Sequence, residues 1–123
     1  MKNFTIGSEI VTLLNTNRAV HTAVRDKIFP LVASTSTTFP FIVYRRSYYK
    51  PASNKDYENE KVGIEIIVAS NKYSDSVTIA NSVADALNHQ STAVIEDINV
   101  TNTNEDYLED TYIQRLFFEV EIK

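Results

Sequence analysis

Phe39-Pro40-Phe41-Ile42-Val43-Tyr44-Arg45-Arg46, ten residues after Ile28-Phe29-Pro30, sets the character of the chain. A proline keeps the residue before it extended and withholds one backbone donor, so Pro40 leads into a strand rather than a helix. Four residues that are apolar on both faces follow, and the run then turns cationic and aromatic. This pattern describes a strand buried at its start that emerges onto a surface.

Downstream, residues 39–49 read as the first long strand and residues 50–60 as a polar loop without periodicity, too long for a tight hairpin. Lys61 to Ala69 is a second strand, with Val62, Ile64, Ile66 and Val68 on one face and Gly63, Glu65 and Ile67 on the other. Tyr73-Ser74-Asp75 opens a helix whose apolar stripe is Val77, Ile79, Ala80, Val83, Ala84 and Leu87, and Asn88-His89-Gln90 ends it. Ala93 to Thr101 is a third strand, imperfect at Glu96, and Asn102 to Asp106 a turn. Thr111 to Ile122 alternates most cleanly, with Leu116, Phe118, Val120 and Ile122 against Arg115, Glu119 and Glu121.

Upstream, Ser8 is a candidate helix N-cap before Ile10, Val11, Leu13 and Leu14. Asn15-Thr16-Asn17 interrupts this helix, and Asn17 caps a second piece carrying Ala19, Val20, Ala23 and Val24. The order α(α)-β-β-α-β-β predicts one α+β domain over residues 1–123, a mostly antiparallel four-stranded sheet with helices packed on it.

Composition narrows the function. With 123 residues, one core forms without covalent staples. A net charge of -4 argues against nucleic acid as the main partner, because such binding needs phosphate neutralisation. No cysteine is present, which excludes disulfides and thiolate metal sites and fits a reducing compartment. No apolar run is long enough for a membrane span. Two glycines, Gly7 and Gly63, cannot build a phosphate-cradling loop.

Catalytic chemistry is also missing. His21 and His89 are isolated and lack the clustered ligands that zinc requires. The acids Glu105, Asp106, Glu109 and Asp110 lack the alternation and glycine of a calcium loop and read as a solvated turn. No serine sits in a nucleophile elbow. The reading is therefore of a protein that is not an enzyme, with no cofactor and no metal. Arg45-Arg46-Ser47-Tyr48-Tyr49-Lys50 is the densest basic-aromatic stretch. Its residue types suit a protein interface, a plain exposed strand or the stacking of single-stranded bases.

The ordered segments resemble the tail-completion, or tail-terminator, family of long-tailed bacteriophages and prophage remnants. The likeness is carried by Lys27-Ile28-Phe29-Pro30, Phe39 to Tyr44, Val62 to Val68, Tyr73-Ser74, Ala80 to Leu87, Asp106-Tyr107 and Tyr112 to Val120. A glycine that the family often has after the second helix is replaced by Asn88-His89-Gln90. The resemblance implies a virion tail subunit, assembled in the bacterial cytoplasm, that forms a hexameric ring on the finished tail tube. Its partners would be further copies of itself, the tail-tube protein and the head-completion or connector protein. On that reading Arg45, Arg46, Tyr48, Tyr49, Lys50, Lys55, Tyr57, Glu105, Asp106, Glu109 and Asp110 are the expected interface residues, with cations of one subunit facing acids of the next. The competing expectation is a small dimeric α+β ligand-binding or regulatory module, which needs a concave pocket with convergent polar groups. A hydrolase accessory is a third reading, weakened by the missing histidine and glycine chemistry.

Overall fold

Alternation in Val62, Ile64, Ile66 and Val68 makes the central strand, and all four are fully buried. The computed structural model describes residues 1–53 and 59–123. Among these residues, three helices, α1 (Lys2–Thr16), α2 (Arg18–Val24) and α3 (Tyr73–Leu87), accompany five strands. The strands are β1 (Ile28–Pro30), β2 (Phe41–Lys50), β3 (Lys61–Ser70), β4 (Ile95–Leu108) and β5 (Thr111–Ile122), in the sheet order β1-β2-β3-β5-β4. All three helices feed one hydrophobic cluster with one sheet face: Ile6, Ile10 and Leu14, then Val20 and Val24, then Ile79, Val83 and Leu87, against Ile42, Ile64, Ile66, Phe118 and Val120. On the opposite face the register aligns Phe41, Val43 and Arg45 with Ala69, Ile67 and Glu65, and these with Ile113, Arg115 and Phe117.

The α+β class matches the sequence reading, but among the described residues the sheet has five strands and is mixed, and the order is α-α-β-β-β-α-β-β rather than α(α)-β-β-α-β-β. Ile28–Pro30 pairs parallel with Ile42–Tyr44 as an edge strand. Three residues carry no readable period, and proline is at home on an edge because it cannot donate to a further neighbour. The first helix begins at Lys2, six residues before the expected Ser8 cap, and the Ser8 hydroxyl donates to the Thr5 carbonyl instead (2.8 Å). Asn17 does cap α2, its Oδ1 accepting from Val20 N–H at 3.1 Å. Strand β4 continues to Leu108, so residues 102–106 lie in the sheet and only Glu109 and Asp110 turn. Both take positive φ (51° and 60°), the two-residue hairpin geometry whose twist matches that of the strands. After α3 the left-handed position falls to His89 (φ 62°) rather than to Asn88, which accepts from Val100 N–H through its side chain at 3.0 Å.

Candidate functional site

Strand alternation sends Arg45 and Arg46, adjacent in sequence, to opposite faces. Arg45 crosses to its register partner Glu65, with Nε 3.0 Å and Nη2 3.0 Å from Oε1. Glu65 is 3% exposed, so the guanidinium offsets a carboxylate that burial would otherwise penalise. Arg46 lies against the start of α1, donating to Asn3 Oδ1 (2.9 Å) with its guanidinium carbon 4.8 Å from the Phe4 ring centre. The next residue, Ser47, is a bulge that shifts the register before Tyr48.

Tyr48 returns to the open face and lies across Gly63, where any Cβ would overlap its ring. Its hydroxyl donates to Glu119 Oε2 at 2.5 Å, and Lys50 Nζ reaches the same oxygen at 3.3 Å. Burial and the carboxylate push the Tyr48 hydroxyl up to about 12, while the tyrosine bond and then Lys50 hold Glu119 below the usual carboxylate range. Tyr49 points to the helix side and donates to Glu60 Oε2 (2.7 Å).

At the far end of the sheet, Glu105 faces α3. It accepts from Gln114 Nε2 (2.8 Å) and from the Tyr73 hydroxyl (2.9 Å), and these two bonds lower its pKa. Asp106 faces the open side, 3.6 Å from Arg115 Nη1. Glu109 and Asp110 occupy the hairpin tip, where Asp110 accepts from the Tyr107 hydroxyl at 3.0 Å. The expected interface residues therefore form two groups on different strands, Arg45 to Lys50 on β2 and Glu105 to Asp110 around the β4–β5 turn. Lys55 and Tyr57 lie outside the described residues.

Sequence reasoning missed the neighbours of these groups. Leu31 and Val32, just past β1, are 73% and 75% exposed, and Leu31 has φ 67°. Leu108 at the hairpin tip is also exposed. Two exposed aliphatic residues immediately after Pro30 were the available signal. Among the described residues an open cleft of about 390 Å³ lies beside β2, between Phe4, Gly7, Pro30, Leu31, Tyr44 and Arg46. Among the described residues no three His, Asp or Glu side chains gather as a metal would require, and no helix is long and apolar enough to cross a membrane.

The sequence model of tail completion protein gp17 matches residues 8–123. The chain belongs to the tail completion protein gp17 family. Membership makes it a phage structural tail protein and a virion component. A chain from the virion of a native gene transfer agent (GTA) particle is similar in structure, with a TM-score of 0.71 at 13% identity over 92% of this chain and 90% of that one. At that identity the likeness speaks for the fold of the tail completion domain. No curated protein matches the chain.

Proposed function

We infer that this tail completion protein, of a phage or a prophage, caps the tail tube as a hexameric ring, ends tube polymerisation and presents a surface to the head-completion protein. The observation that carries the reading is the placement of opposite charges on two unlike strands of one sheet. Arg45, Arg46 and Lys50 lie on β2, and Glu105, Asp106, Glu109 and Asp110 lie on β4 and its turn. A closed ring needs two different patches that meet head to tail, and two unlike charged patches support that reading. The number six comes from the family resemblance. The mechanism is geometric, with no chemical step: the ring occupies the end of the tube and exchanges it for a different contact surface.

Removal of the protein from an assembling system tests the function. Tubes should lengthen beyond their normal limit and remain unjoined to heads. Tubes of normal length joined to heads in its absence would rule the capping role out. The interface assignment has its own test: reversing charge at Arg45 and Arg46 should cut binding to tail tubes, and unchanged binding would remove those residues from the contact.

A further inference from the structure

Beyond Tyr44, among the described residues, no strand pairs with the outer side of β2, since β1 covers only Ile42–Tyr44. Ile42 N–H donates to the Lys27 carbonyl, and the Tyr44 carbonyl accepts from Leu31 N–H, both at 2.9 Å. Residues 42 and 44 thus turn their backbone groups outward, and Arg46 is next in that series. At the other end of the sheet β4 is an edge of 14 residues, and its side chains are exposed from Asn99 to Leu108. Tyr107 belongs to its outward series, one residue back from the Leu108–Thr111 pair that closes the two-residue turn, and its N–H is taken up by the Asp106 side chain (2.8 Å). Long exposed edges of this kind are templates for another strand.

We propose that the β2 edge of one copy and the β4 edge of the next join as a continuous antiparallel sheet, with Arg46 opposite Tyr107. The proposal rests on the ring reading and specifies its joint. Strand direction agrees: β2, β3, β5 and β4 alternate, so continuing the sheet with its faces matched sets β4 antiparallel to the next β2. Register follows from two constraints. Only even shifts keep side chains on their own faces. The neighbour's hairpin must also stop at the Pro30 end of β1, which places Leu108 opposite Arg45 and the turn beside the exposed Leu31 and Val32.

Charges then interleave. On the open face Asp106 falls between Arg45 and Lys50, and on the helix face Glu105 falls beside Arg46, within reach of diagonal cross-strand pairs. Within one subunit Arg46 shares a rung with Val100, through Ile64 and Phe118. From that rung to the Tyr107–Tyr112 rung is a shift of about 20 Å. Across four strands at about 4.8 Å each, the shift tilts the strands by roughly 45°, near the tilt of closed barrels.

The absence of native cysteine makes crosslinking specific. Tails assembled with the full chain carrying Arg46→Cys and Tyr107→Cys, oxidised and run without reductant, should give a ladder of covalent multimers from most of the ring protein. Arg46→Cys with Val100→Cys, the unshifted register, should give less than a tenth as much. A ring visible by electron microscopy without the Tyr107 ladder, or with a stronger Val100 ladder, overturns the sheet joint and leaves the ring standing. Absence of any oligomer on the tails overturns both. A second variant guards against misfolding of the first. Asp106→Lys, checked as folded by circular dichroism, should lower ring formation at least tenfold, and Lys50→Asp in the same chain should restore it. Undiminished ring formation in folded Asp106→Lys overturns the proposal.

Discussion

Glu65 shows how one residue ties fold to surface. Its buried carboxylate lies in the sheet with the half-exposed Arg45 guanidinium as its partner. Arg45→Ala should therefore destabilise the subunit by about 1–3 kcal/mol, held below the cost of a fully buried pair because Arg45 is half exposed, as read by urea unfolding. The Tyr48–Glu119 bond adds a pH dependence. Glu119 is lowered in the folded state, so its stabilisation is full above the unfolded carboxyl pKa of about 4.3 and fades as pH falls through the folded value. Tyr48 is raised, so its share is full below the unfolded value of about 10 and is lost as pH rises through about 12. Tyr48→Phe should cost about 1 kcal/mol near pH 7, and the difference from the parent should shrink towards pH 3 in unfolding curves.

Among elements, the β4–β5 hairpin separates stability from assembly. Glu109 and Asp110 hold left-handed backbone that Asn-Gly adopts with less strain. Glu109→Asn with Asp110→Gly should stabilise the monomer by about 1 kcal/mol in thermal melts and, on the proposed ring contact, weaken assembly through the loss of two acids. Asn17→Ala should cost about 1 kcal/mol through the lost α2 cap. Period was legible where burial imposes it: β3, the second half of β5 and, in α3, Ile79, Val83 and Leu87, whereas Val77 of the expected stripe is exposed. It failed in β4, where Asn99 to Leu108 are exposed on both faces and no burial imposes alternation. Hence a strand of polar residues read as a turn, and Glu105 and Asp106 as loop acids. Strand β1 escaped because three residues hold no pattern. The basic-aromatic stretch was legible as a surface, but its split across two faces became visible only with the register and the Ser47 bulge.

At the scale of the molecule, a net charge of -4 conceals an uneven sheet: β2 carries Arg45, Arg46 and Lys50 and no acid, while β4 at the opposite edge carries Glu96, Asp97, Glu105 and Asp106 and no Lys or Arg. In the proposed ring, such charged edges would keep free subunits from random pairing yet favour one head-to-tail contact. Because these charges are largely exposed, ring formation should weaken as salt rises from about 0.05 to 0.5 M, a range over which screening tightens severalfold, as followed by native mass spectrometry. Image reconstruction of the tube end in purified tails decides whether the chain caps the tube as a closed ring. A single six-fold ring of this chain should stand at the head-proximal end of each finished tube, its subunits arranged head to tail. Tube ends that lack the chain, or that carry it as isolated monomers or two-fold dimers, would contradict capping by a ring.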